Sequence, residues 1–119
     1  MTDQRRASED CCDTVLVYAT FPGEPEALAA GRQLVEARLA GCINVLPGMT
    51  SVYVWQGNTQ TAREAVLIAK TRRDLSDAVI AFIRAHHPYE LPAILTLPVI
   101  AGNPDYLAWL RAGTDGATS

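Results

Sequence analysis

The chain's two histidines, His86 and His87, stand beside Tyr89 and Glu90 in the stretch AHHPYELP, residues 85 to 92. Imidazole nitrogen and carboxylate oxygen are ligands for ions such as Cu(II) and Zn(II). Neighbouring histidines on a continuing helix point about 100° apart. One ion can therefore take both only if the chain leaves the helix between them, or if Glu90, Cys42 or a second subunit adds ligands. The same residues also suit a structural corner. A histidine at a helix C-terminus meets the negative end of the dipole and bonds orphan carbonyls. A tyrosine there can rest its ring on apolar surface while its hydroxyl reaches a polar group. Both readings stay open at this point.

Other reactive groups are sparse. Cys11, Cys12 and Cys42 make an odd count without CxxC spacing, so neither a disulfide framework nor a thiolate zinc site is indicated. Cys42 follows Gly41 at the mouth of a strand and reads as a small buried residue. No P-loop, GxGxxG, GxSxG or HExxH is present, so no catalytic residue is assigned and no cofactor is obligatory.

The 119 residues suffice for one hydrophobic core. Composition, 49% hydrophobic and 19% charged, is that of a globular domain without a membrane-spanning run. A net charge of −3 with scattered basic residues argues against nucleic acid as partner. Residues 1–13 hold no apolar run and read as a flexible tail rather than a secretory signal, which points to the cytoplasm. A single domain is expected over 14–112, with a C-terminal tail over 113–119.

Within it, TVLVYAT (14–20) predicts a strand and 25–39 a helix ended by Gly41. CINVL and SVYVW predict one long strand, bent at Pro47 and Gly48. GNTQ (57–60) is the expected turn into REAVLIAKT (63–71). A second helix, capped by Asp74, carries apolar residues at Leu75, Ala78, Val79, Phe82 and Ile83 and stops at Pro88. AILTLPVI (93–100) predicts a last strand and NPDYLAWL (103–110) a short closing helix. This order gives an α+β fold, a ferredoxin-like βαββαβ sandwich with an antiparallel sheet.

Both helices of that fold cover one face of the sheet, so a monomer's strands should alternate apolar and polar. These strands carry large apolar residues on both sides, and two helices cannot cover both. An oligomer that buries the second face is expected. Glu64, Val66, Ile68 and Lys70 share one face of the third strand by period two, which fits an interface with a polar rim or strand ends that reach solvent.

RLAGCINVLPGMTSVYVWQG, then Glu64, LIAKT and HHPYELPAILTLPVIAGNPDYLAWL resemble, in order, the CutA divalent-cation tolerance proteins over nearly all of 14–112. The resemblance implies a tight homotrimer of ferredoxin-like subunits, similar to the PII signalling proteins, and a cytoplasmic, non-enzymatic role in tolerance of copper and other divalent metals. Its signature falls on Arg38, Cys42, Trp55, Glu64, Lys70, His87, Pro88, Tyr89 and Pro92. It implies divalent metal at His86 and His87, beside which Glu90 is the candidate further ligand, and a cleft or interface role for Arg38, Cys42, Trp55, Glu64, Lys70 and Tyr89. Some members carry a cysteine before the threonine that ends the first strand. Here that residue is Ala19, so imidazoles favour Cu(II) or Zn(II) over Cu(I). The alternatives are a PII-like module that senses a small anion through Lys70 and Arg72 or Arg73 and signals to a protein partner, and a small acyl-phosphate hydrolase on the same fold.

Overall fold

The structure, a computed structural model, describes residues 13–116. The tail expected over 1–13, with Cys11 and Cys12, lies outside the described residues except for Asp13.

Strand β1 (Thr14–Phe21) leads to helix α1 (Glu24–Glu36), the long strand β2 (Cys42–Trp55) and its hairpin partner β3 (Asn58–Arg72). A 3-10 turn (Arg73–Leu75), helix α2 (Ser76–His86), strand β4 (Ile94–Pro98) and helix α3 (Pro104–Gly113) follow. The sheet order is β2-β3-β1-β4, with every neighbouring pair antiparallel. This is the ferredoxin-like arrangement expected. The core lies between the sheet and the two long helices. Val17, Ala19, Phe21, Leu67 and Ala69 of the sheet meet Ala27 and Leu34 of α1 and Val79 and Ile83 of α2. Truncating a fully buried Leu34 or Ile83 to alanine should cost about 2–5 kcal/mol.

Five local expectations are corrected. Gly41 does not end α1. Ala37 caps it, and Arg38 takes the left-handed backbone, φ 60°, that a glycine usually supplies. Gly41 is needed for a different reason, since a Cβ there would lie 2.6 Å from the carbonyl oxygen of Leu110 as α3 crosses the strand. Asp74 caps no helix. It sits in the 3-10 turn with its carboxylate 3.3 Å from Arg72 Nε, and α2 starts without a side-chain cap because buried Leu75 anchors the bend. The β2–β3 turn is Gln56–Gly57 rather than 57–60. Both residues have positive φ, 52° and 82°, and Asn58 already pairs with Trp55. Finally, β4 is shorter than 93–100, and α3 runs to Gly113, with Asn103 Oδ1 accepting from Asp105 N at its start.

The second face of the sheet follows from the register. Leu97, Leu16, Lys70 and Cys42 form one row across it, and Leu95, Tyr18, Ile68 and Asn44 form the next. Helix α3 reaches one end only, where Tyr106 Oη accepts from Lys70 Nζ at 3.0 Å and the ring centroid lies 5.3 Å from that ammonium group. Leu46, Leu95 and Leu97 stay exposed. Beyond Thr50 the β2–β3 hairpin runs on without cover, leaving Val52 and Val54 67% and 68% exposed.

Gly41→Ala should lower the denaturant-unfolding free energy, at fixed chain concentration, by about 1–3 kcal/mol through forced displacement of α3. Arg38→Gly should change it by less than about 1 kcal/mol, because relief of the left-handed backbone offsets the lost bond from Arg38 Nη1 to Asp115 O. An unchanged midpoint in Gly41→Ala would refute the close approach.

Candidate functional site

The stretch AHHPYELP builds a corner, and Pro88 sets its start. A residue before proline avoids helical backbone, so the chain leaves α2 at His87, which is extended at φ −86° and ψ 138°. The two imidazoles then separate. His86 Nδ1 lies 2.8 Å from the carbonyl oxygen of Phe82, one turn back, and its ring stacks on Phe82 at 4.2 Å. A carbonyl only accepts, so Nδ1 carries the proton, and Nε2 has no hydrogen-bond partner among the described residues.

His87 is held at both nitrogens. Nε2 lies 2.6 Å from the carbonyl oxygen of Thr20 and must donate to it, while Nδ1 accepts from the backbone N–H of Tyr89 at 3.1 Å. The ring also stacks on Phe21 at 4.5 Å. This neutral tautomer fastens the corner to the end of β1 and presents no free lone pair. Among the described residues, no group of three His, Cys, Asp or Glu side chains stands close enough to share an ion. Ala19 is fully buried in the core.

Beside the corner opens a cleft of about 530 Å³. Glu64 lies in it, with Tyr53 and Trp55 from the hairpin arm and Tyr89 and Glu90 from the corner. These residues meet because β2 carries a bulge. Leu46 pairs with Val66 but Met49 pairs with Glu64, so β2 spends one extra residue at Pro47–Gly48. That residue reverses the alternation along the outer half of β2. Tyr53 and Trp55, paired with Gln60 and Asn58, consequently share the face of Glu64. Without the bulge they would point away.

Glu64 is buried to 9% exposure and makes no salt bridge among the described residues. Burial, and next the Glu64 carboxylate, push the Tyr89 phenol above its ordinary value of 10.0, with Tyr53 and Glu26 adding to the effect.

The other residues marked in the sequence lie elsewhere. Arg38 ties down the chain after α3, Lys70 meets Tyr106, and half-buried Cys42 pairs across from Lys70 at the α3 end of the sheet. A smaller cleft of about 280 Å³ gathers Arg72, Arg73 and Arg111 with Asp13 and Asp74. Its carboxylates already face the guanidinium groups, Asp13 toward Arg111 and Asp74 toward Arg72. Lys70 does not join it. Sequence reasoning missed Tyr53 as a cleft residue, because its side of the strand depends on the bulge register.

Ultraviolet titration of phenolate in the wild type minus Tyr89→Phe should place the Tyr89 transition above 10.0. A phenol whose folded pKa is raised adds stability that is present below 10.0 and lost as pH rises through the folded value. Glu64→Gln should lower the transition without restoring it fully, because burial is the larger cause; an unmoved transition would refute the role of the carboxylate.

Comparison with known proteins now adds to this geometry. The family model described as CutA1 divalent ion tolerance protein matches residues 15–113. Protein CutA 1, chloroplastic, of Oryza sativa subsp. japonica is 39% identical over 101 residues, covering 85% of this chain and 57% of that protein. The chain thus spans a little over half of the rice protein's length. The divalent-cation tolerance protein CutA of Yersinia pestis (strain Pestoides F) is 38% identical over 112 residues, covering 94% of this chain and 92% of the other. The crystal structure of CutA from Xylella fastidiosa superposes with a TM-score of 0.84 at 40% identity, covering 87% of this chain and 99% of that one. The chain belongs to the CutA1 divalent ion tolerance family.

Proposed function

We propose that this protein is a non-enzymatic, cytoplasmic homotrimer of divalent-cation tolerance, and that Cu(II) or a similar divalent cation meets it at the corner through His86 Nε2 and Glu90. Membership of the family supports the divalent-cation tolerance part of this reading. The observation that supports the second is the hydrogen-bond assignment, in which His86 keeps a free nitrogen and His87 keeps none. His87 then serves the site by fixing the corner rather than by ligation. A single imidazole with one carboxylate is a weak site, and water or a neighbouring chain must complete the coordination.

Assembly is supported by the exposed Val52, Val54, Leu95 and Leu97. The two-stranded hairpin arm has little stability alone in water. The absence of GxSxG, P-loop and HExxH patterns favours a non-catalytic role. The PII-like alternative loses ground, because the arginine cleft is already balanced by carboxylates and the larger cleft is acidic. No helix among the described residues is long and apolar enough to cross a membrane.

Calorimetric titration with Cu(II) separates the two histidines. His86→Ala should abolish the saturable heat or weaken it by about tenfold or more. His87→Ala should retain binding while lowering the unfolding midpoint, through loss of two hydrogen bonds and the Phe21 stack. Equal loss of copper binding in the two variants, with His87→Ala still fully folded, would contradict the assignment.

A further inference from the structure

The cleft beside the corner has a composition that metal tolerance does not explain. Its floor is the buried carboxylate of Glu64, a second carboxylate stands at Glu90, and Tyr53, Trp55 and Tyr89 supply three aromatic rings. Among the described residues, no lysine, arginine or histidine lines it. Glu64 is a largely buried residue with no salt-bridge partner among the described residues, so its carboxylate offers an entering cation a charge to pair with. An anion would meet two like charges. A bare metal ion would find two carboxylates but no third ligating side chain of the usual kinds, and its hydration shell would sit against aromatic and aliphatic walls. An ammonium group bearing carbon substituents fits both features, because aromatic faces attract such cations and the carboxylate neutralises them. The volume, about 530 Å³, suits a small molecule.

We propose that the cleft walled by Tyr53, Trp55 and Tyr89 and floored by Glu64 binds a small organic cation that carries an alkylated ammonium group. The bulge at Pro47–Gly48 is the device that makes the site, since it turns Tyr53 and Trp55 onto the face of Glu64. The site shares Glu90 with the copper reading but does not use His86, on which that reading rests, and failure of copper to bind leaves it untouched.

The test uses the full chain in its native assembly, with choline as probe and, as control, its uncharged analogue in which a tert-butyl group replaces trimethylammonium. Calorimetry should show saturable binding of choline, with the uncharged analogue at least about tenfold weaker. Glu64→Gln should remove most of that preference for charge, and Trp55→Leu should weaken choline several-fold. In a Trp109→Phe background, choline should also change the fluorescence of Trp55. Should Glu64→Gln fail to assemble, the choline-to-analogue ratio in the wild type decides alone. Equal affinity for the two compounds overturns the proposal. So does an absence of choline binding at tens of millimolar, the result expected if a basic side chain of a neighbouring chain already neutralises Glu64.

Discussion

A four-stranded sheet with both of its long helices on one side can leave its other side to water only if that side is polar. In this chain that side carries Leu16, Leu46, Leu95, Leu97, Ile68 and Tyr18 between Lys70, Asn44 and Glu64, and α3 shelters only the end near Lys70. The β2–β3 hairpin compounds the problem by running past the end of β1 as an uncovered ribbon. Exposed patches of this kind drive association, at roughly 25 cal/mol for each Å² of apolar surface removed from water. The proposed trimer answers this constraint, and the cleft beside the corner depends on it too, because the hairpin arm that supplies Tyr53 and Trp55 must be held in place.

The corner shows how local rules create a site. Proline at 88 forces His87 out of the helix, and the freed imidazole then bridges Thr20 and the amide of Tyr89. One side chain thereby joins the end of α2, the end of β1 and the loop that carries Tyr89 and Glu90. His86, still helical, returns its proton to Phe82 and keeps one nitrogen free at the surface. The adjacent histidines therefore differ in role because one peptide unit between them changes conformation.

Much of the fold was legible in the sequence. The apolar period of α2, the β-branched composition of β1 and the Pro47–Gly48 bend each read directly onto the structure, and the two-sided strands signalled the uncovered face. Local endings were less legible, because they answer to tertiary contacts. Gly41 looks like a helix cap, yet it is required by the passage of Leu110, while Arg38 bears the left-handed backbone. Asp74 has a good capping side chain, but Leu75 needs to be buried and the chain turns through a 3-10 bend instead. At the site, the residue types of the corner could be read but not the tautomer of His87, which depends on Thr20, a residue 67 positions away. Tyr53 was invisible because a one-residue bulge decides which side of β2 it occupies.

Multi-angle light scattering across a dilution series into low micromolar chain concentration tests the central claim most directly. The uncovered sheet face predicts an oligomer that persists on dilution, and the proposed trimer sets its mass at three times that of the 12.9 kDa chain. A well-behaved, fully folded single chain of 12.9 kDa at those concentrations would contradict it.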